Sequence, residues 1–461
     1  MAETTARRDA VAADEQILAR FEHMDIGCQP NGALVLLAPS NRRSRVVAGA
    51  LVELGKGLPG GSTKVMRLQA AGDGGERVET TQVRDEHGDG VQLRRTFVPG
   101  GSGLSAEWTM TAYKHSRLLR IALLVRNERA EPIVVRRLFP FVAGVWWGRD
   151  TLRVGGREQG FSVYKNGWQS WSFAGGLPLG RADPRPRVPT NVAWHSPGGV
   201  NPSQPGGGLV DVVSEEMGML GHAGEPEALL AGFLCADRWL GQVYAQRREG
   251  AFAAAALLDD YALPPGEVVS VPPLVVGLGP QDELVREYAA AVAQEGRARP
   301  VASMPAGWCS WYYYFAGVTE ADVLENLAQA RALRAALPFD IMQVDDGYQT
   351  AIGDWLSVNE KFPRGMRFLA DRIREAGFRP GIWLAPFTVA ANSRLAREHP
   401  DWLIHDDRGQ TVFGGHNWDT DLYGLDTSHP SAREWLGRLF RIIVNEWGFD
   451  YLKLDFLVSG A

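Results

Sequence analysis

Apolar and polar positions follow two different rhythms along this chain. Up to about residue 280 the apolar residues come in short runs broken by turn formers, as at Ala33 to Leu37, Leu118 to Val125, Phe233 to Gln246 and Val268 to Leu278. Runs of that length and spacing predict strands, and helical signals are scarce. Ile133-Val134-Val135 returns after Asn127-Glu128-Arg129-Ala130-Glu131-Pro132, which predicts a hairpin with the Leu118 run. This half is expected to be a two-sheet β-sandwich. A Gly/Pro-rich stretch from Gly175 to Gly208 has almost no periodicity, and loops that long tend to be functional or disordered.

After a short helix, Glu283 to Glu295, and a linker, Gly296 to Pro305, the rhythm changes to alternating strands and helices. Trp308 to Tyr314 predicts an aromatic strand. Thr319 with Asp322 at the third helical position predicts a capped helix start, followed by Val323, Leu324, Leu327 and Leu333 at helical spacing. A strand at Ile341 to Val344 follows. The helix Met366 to Ala376 is closed by Gly377, and the strand Gly381 to Ala385 comes next. A last helix, Ala432 to Trp447, closes on Gly448 before the strand Tyr451 to Leu457. Strands linked by helices through short connections predict parallel pairing and an α/β fold.

The strand ends carry the chemistry, because parallel α/β folds place their sites at the carboxyl ends of strands. The first offers Trp308 and Trp311, the second Asp345-Asp346-Gly347, the third Trp383, and the last Lys453 and Asp455. Lys453 and Asp455, at i and i+2, project to one face, so a buried ion pair between them is expected. Each feature has a plain alternative. Asp345-Asp346-Gly347 suits a turn, Trp311 and Trp383 suit a core, and Lys453 with Asp455 suits a structural pair. Asp345, Asp346, His416, Asp419, Asp421 and Asp426 could in principle converge on a metal, although the His416 to Asp421 segment reads as polar loop. The combination fits a sugar better. Adjacent carboxylates accept hydrogen bonds from neighbouring hydroxyls, and tryptophan covers the apolar face of a pyranose. An ionised, positioned carboxylate also serves a retaining glycosidase as nucleophile, with a second carboxyl about 5–5.5 Å away. Upstream, Trp168 and Trp171 sit three apart in Asn166 to Ser172, either a turn packed by aromatics or a ligand platform.

Composition sets the bounds. The 461 residues allow two or three domains, and 45% hydrophobic with 22% charged residues is ordinary for a globular protein. A net charge of −6 without a Lys/Arg run argues against nucleic acid. No stretch approaches the ~18–20 apolar residues of a membrane span. Met1 to Glu15 lacks the apolar core of a secretory signal. Cys28, Cys235 and Cys309 are odd in number and in no metal-ligand spacing, which favours a reducing, cytoplasmic compartment.

Four segments together resemble glycoside hydrolase family 36, the α-galactosidase or melibiase family, in order and approximate spacing. They are Gly307-Trp308-Cys309-Ser310-Trp311, Gln343-Val344-Asp345-Asp346-Gly347-Tyr348, Gly381-Ile382-Trp383-Leu384-Ala385-Pro386-Phe387 and Lys453-Leu454-Asp455-Phe456-Leu457. The likeness is closest to compact bacterial and archaeal members, and clear coverage runs from about residue 300 to 461. The resemblance implies a multidomain chain. An N-terminal β-supersandwich would occupy 1–280, a helical linker 281–305, and the first half of a (β/α)₈ barrel 306–461. It implies a retaining α-galactosidase with Asp455 as nucleophile and no metal or cofactor. Asp345 and Asp346 would hold the O4 and O6 hydroxyls of galactose. Lys453 would bind ring hydroxyls, Trp311 and Trp383 would shape the pocket, and Trp168 or Trp171 would reach over it. The partner would be a small α-galactoside of the melibiose or raffinose type or a glycoconjugate, with no nucleic acid and no membrane. A homo-oligomer is compatible with the resemblance. Action on another α-linked sugar such as N-acetylgalactosamine, or non-catalytic sugar binding, remains open. Family members continue through further barrel strands, one carrying the acid/base aspartate, and a small β-domain. These are not in the sequence, so a C-terminally incomplete enzyme without its acid/base is expected.

Overall fold

A computed structural model describes residues 16–29, 33–38, 44–55, 64–68, 77–98, 103–144, 152–157, 159–167, 172–181, 193–194, 212–246, 250–301, 303–336, 339–406 and 408–460. The chain forms two compact units. One comprises Met1–Pro186 and Ser203–Arg299, the other Arg187–Pro202 and Pro300–Ala461.

The first unit holds two ten-stranded antiparallel sheets. Alternation along the strands explains them. In Leu118–Asn127 the buried Leu119, Ile121, Leu123 and Val125 share one face, and in Leu104–Tyr113 so do Ala106, Trp108, Met110 and Ala112. These pack in one core with Val46, Ala48, Ala50 and Val52 of the strand Arg45–Leu54 and with Leu138 and Phe141 of Ile133–Ala143, which belong to the other sheet. The inner faces of both sheets therefore close over a single apolar layer. Trp108, fully buried, also crosses that layer to donate Nε1 to Pro140 O at 2.9 Å.

The hairpin expected between Leu118 to Val125 and Ile133 to Val135 does not form. Leu118–Asn127 pairs with Leu104–Tyr113 and Leu274–Pro280, while Ile133–Ala143 pairs with Arg45–Leu54 and Ala251–Leu263 in the opposite sheet. Asn127 ties the corner where the chain changes sheets. Buried completely, it donates Nδ2 to Glu131 O (2.8 Å) and Leu263 O (2.9 Å), and Oδ1 accepts from Arg129 N (2.9 Å). The runs Phe233 to Gln246 and Val268 to Leu278 are likewise each divided, into Glu227–Phe233 with Leu240–Gln246 and Val268–Ser270 with Leu274–Pro280. Pro272 and Pro273 interrupt the second, since proline cannot donate to a ladder. The Gly175 to Gly208 stretch contains a strand at Gly175–Pro178. The helix Gln281–Glu295 lays Leu284 against Leu118, Leu230 and Val275 of this unit.

The second unit is built on four parallel strands in the order Gly307–Cys309, Ile341–Val344, Arg379–Leu384 and Tyr451–Leu454. The helices between them follow the sequence signals. Thr319 and Asp322 form a reciprocal capping box at the start of Glu320–Leu333. Gly365–Glu375 buries Met366, Leu369, Ala370 and Ile373, and Gly377 follows at φ 87°. Pro430–Arg441 continues as one π-helical stretch, Ile442–Glu446, before Gly448 at φ 83°. A small antiparallel sheet of Ala193–Trp194, Phe413–Asn417, Thr420–Gly424 and Thr388–Ala390 accompanies the parallel one.

The predicted strand Trp308 to Tyr314 is a strand only to Cys309. Trp311–Tyr314 is a helical turn, with Tyr314 N bonded to Ser310 O at 3.0 Å. The predicted loop His416 to Asp421 is a tight hairpin instead. The strand Tyr451–Leu454 is half-buried rather than buried, and Leu454 is 41% exposed, because it lies at one end of the four-strand order.

Candidate active site

The carboxyl ends of the parallel strands bring Asp345, Asp346, Trp383, Lys453 and Asp455 to one end of the sheet. Register accounts for the convergence: Gln343 pairs with Gly381, and Trp383 pairs with Lys453. The strand Ile341–Val344 ends at Asp345, whose N–H donates to Ser310 Oγ at 2.9 Å. That bond uses the same Ser310 at which the first strand turns into a helix.

Lys453 does not pair with Asp455. Its Nζ lies 2.8 Å from Oδ2 of Asp345, two strands away. The strand stops at Leu454, so Asp455 has left the pleat in which i and i+2 share a face. Asp345 is 2% exposed. Its Oδ2 also accepts from Gln343 Nε2 (2.6 Å), and Oδ1 accepts from Asp346 N (3.0 Å). Burial works against the Lys453 charge, but the hydrogen bond and charge of Asp345, with Asp455 and Cys309 nearby, raise its pKa overall. Cys309 Sγ sits 3.4 Å from Asp345 Oδ2, and burial together with that carboxylate pushes the thiol up to about 11.

Asp346, also 2% exposed, is held at both oxygens: Gln349 Nε2 donates to Oδ1 (2.6 Å) and Trp418 Nε1 to Oδ2 (2.7 Å). Burial raises its pKa, the two hydrogen bonds oppose the rise, the Asp345 charge adds to it and Lys361 opposes it. Asp455 receives Trp383 Nε1 at Oδ2 (3.0 Å) and the N–H of Phe456 at Oδ1 (2.9 Å), while its own N–H bonds Leu384 O (2.8 Å). Trp383 is 2% exposed, so it meets the site through its indole N–H rather than an open face. Trp355, Trp418 and Phe456 surround its ring at 5.6, 6.4 and 6.4 Å between centroids.

Trp311 stands apart from this cluster in its ring contact, which is to Phe315 at 5.3 Å. Trp168 and Trp171 lie outside the described residues. Among the described residues no three His, Cys, Asp or Glu side chains gather as a metal site. His416 instead bonds Asp421 (Nδ1 to Oδ1, 2.8 Å), and Asp426 accepts from Ser428 N and Oγ at the turn before Pro430. Sequence reasoning missed Ser310, Gln343, Gln349 and Trp418. Gln343 carried a signal, standing two before Asp345 at the end of the same strand. Trp418 carried none, because its bond to Asp346 spans 72 residues.

Carboxylates and a lysine gather at the carboxyl ends of the parallel strands, beside the tryptophans Trp383 and Trp418. Residues 281–458 match the melibiase family profile. The chain is similar to α-galactosidases, family 36 members among them. It is 30% identical over 190 residues to α-galactosidase AgaA of Geobacillus stearothermophilus, covering 36% of this chain and 25% of that protein. It is also 30% identical over 174 residues to an A type blood α-D-galactosamine galactosaminidase of Flavonifractor plautii, covering 35% of this chain and 15% of that protein. Among solved structures, the α-galactosidase TtGalA of Thermus thermophilus, in complex with p-nitrophenyl α-D-galactopyranoside, matches with 28% identity and a TM-score of 0.54. That match covers 83% of this chain and 64% of the other. The Lactobacillus brevis α-galactosidase shares the fold at a TM-score of 0.63 and 15% identity, over 96% of this chain and 64% of its own. The chain thus spans a quarter or less of the length of these two curated relatives.

Proposed function

We propose that this chain carries the galactose-binding and nucleophile half of a retaining α-galactosidase, acting on terminal α-D-galactosyl residues of small α-galactosides or glycoconjugates. The observation that carries the reading is the cluster itself: Asp345 paired with Lys453, Asp346 beside it, and Asp455 fixed by Trp383 at the same end of the sheet. Asp455 would attack the anomeric carbon, and its bonds from Trp383 and Phe456 would aim it. The bond to the leaving oxygen breaks as an acid protonates that oxygen, giving a covalent galactosyl ester on Asp455. Water then attacks the same carbon, delivering its proton to the conjugate base and releasing galactose with retained configuration. The acid/base role is assigned to no residue of this sequence. Asp345, Asp346 and Lys453 would bind sugar hydroxyls, and Trp311 and Trp383 would shape the pocket.

In this reading 1–280 is the β-supersandwich, 281–305 the helical linker, and 306–461 the first half of a (β/α)₈ barrel whose parallel strands are the four described. A cytoplasmic address is part of the proposal. Among the described residues no helix is long and apolar enough to cross a membrane. The Flavonifractor relative favours one second reading, a galactosamine-type sugar in the same site.

Hydrolysis of p-nitrophenyl α-D-galactoside, of its N-acetylgalactosaminide and of melibiose tests the reading. Good leaving groups need little protonation, so cleavage of the aryl galactoside but not melibiose means a working site without its acid. Cleavage of no galactoside, with no binding of galactose, rejects the proposal.

A further inference from the structure

The hairpin Phe413–Asn417 and Thr420–Gly424 closes on the pair Asn417 and Thr420, leaving a two-residue turn of Trp418 and Asp419. Both turn residues have positive φ, 51° and 54°. Two-residue turns of this kind are normally made by Asn-Gly or Asp-Gly, because other side chains are strained there. A bulky residue at positive φ is an outlier, held only where the surroundings fix it, and such strain clusters at ligand sites. Here the surroundings do fix it. Asn417 Oδ1 accepts from Trp418 N (2.8 Å), and the ring packs edge-on against Phe456 at 5.4 Å, next to Asp455 in the chain. The indole N–H ends on Asp346 Oδ2 at 2.7 Å.

An ionised carboxylate offers about four acceptor positions. On Asp345, Oδ2 is taken by Gln343 and Lys453, and Oδ1 retains one position beside the N–H of Asp346. On Asp346, Gln349 and Trp418 each take one position, leaving one on each oxygen. The acceptors that remain therefore point in directions set by the neighbours of these two aspartates. A site that fixes the direction of its acceptors can reject a sugar whose hydroxyl points elsewhere.

Resting on the galactoside reading above, we propose that Trp418 is a positioning and specificity-determining residue. Through its indole N–H it aims the free acceptors of Asp346 at an axial sugar hydroxyl and so separates galactose from its equatorial epimer, glucose. The pH dependence of sugar binding follows from the same contact. Asp346 faces Asp345, Lys361 and the phenol of Tyr348 besides Gln349 and Trp418. Burial already raises its pKa, and loss of a donor to the charged form raises it further. Binding that needs the carboxylate is present above that pKa and lost below it, so removal of the N–H moves the acid limb to higher pH.

The test compares galactose and glucose binding by calorimetry for the wild-type protein and for Trp418→Phe, which keeps a ring but no donor. The expected result is a galactose affinity about tenfold weaker with glucose nearly unchanged, from the loss of one charge-assisted hydrogen bond. The acid limb of galactose binding should also shift upward. An equally selective Trp418→Phe overturns this inference alone. A wild-type protein that binds neither sugar overturns the site reading and this inference together. Should Trp418→Phe fail to fold, the indole ¹⁵N–¹H resonance of Trp418 in the wild-type protein decides. It should move on addition of galactose and stay put with glucose; no response to galactose overturns the inference.

Discussion

The two units of this chain both bury acids, and they do so differently. In the antiparallel unit Glu53, Arg137, Tyr244, Gln242 and Glu215 form a line of contacts across one sheet: Arg137 Nε to Glu53, Arg137 to Tyr244 (3.4 Å), Tyr244 to Gln242 (2.6 Å) and Gln242 to Glu215 (3.1 Å). Each acid is met by a partner within the line, although Glu53 and Glu215 stand at or next to the ends of their strands. In the parallel unit the acids stand at strand ends, side by side, with acceptor positions left over. Burial of a carboxylate is therefore no mark of function by itself. What separates the two units is convergence of several strands on one point with bonding capacity unspent.

Asp455→Asn should lower turnover of an aryl α-galactoside by about a thousandfold or more; the amide keeps one acceptor oxygen for the two donors Trp383 Nε1 and Phe456 N–H, so stability should fall only slightly, by about 1 kcal/mol. A variant that turns over normally would remove the distinction at its strongest point. Asn127→Ala should do the reverse. It leaves the buried Leu263 carbonyl, and the more exposed Glu131 carbonyl and Arg129 N–H, without this partner at the corner between sheets, at a cost of about 2 kcal/mol in urea unfolding, with no change in sugar affinity.

Lys453→Met touches both sides of the contrast. It leaves Asp345 buried and unpaired, and with Lys453 itself a third exposed the loss should be about 2 kcal/mol, together with weaker galactose binding. Stability intact in Lys453→Met would show that Gln343 and the Asp346 N–H suffice to hold Asp345. The smallest effect is one of pH. Burial raises Glu215 and Glu216 to about 7 from an ordinary 4.5. The folded state holds these protons where the unfolded chain has released them, so their contribution is complete below about 4.5. It is lost as pH rises through about 7. Glu215→Gln should flatten that decline and raise the unfolding midpoint at pH 8; an unchanged pH profile would contradict the burial argument.

Much of the parallel unit could be read from the residues because its signals are local. Thr319 with Asp322, the glycines Gly377 and Gly448, and the apolar stripe of Gly365–Glu375 each act within one or two turns, and the structure keeps them all. The aspartates at the end of Ile341–Val344 were legible for the same reason. Partners were not. Lys453 invited a bond to Asp455 two residues on, yet the strand ends between them and the lysine reaches across Arg379–Leu384 to Asp345. The aromatic run after Trp308 has strand propensity, but Ser310 is needed by Asp345 and the chain turns there. In the antiparallel unit the alternation located strands and not their neighbours. Leu118–Asn127 and Ile133–Ala143 are adjacent in sequence and lie in opposite sheets, a choice made by strands more than a hundred residues away.

The proposed role of Asp455 is that of nucleophile in an α-galactoside site. It is tested most directly by incubating the protein with a 2-deoxy-2-fluoro α-galactoside bearing a good leaving group, then mapping peptides by mass spectrometry. The account predicts one fluorogalactosyl adduct, on the peptide from Tyr451 to Leu457 and on Asp455 within it, absent from Asp455→Asn. Turnover of the reagent with no adduct, or an adduct on another residue, would contradict it.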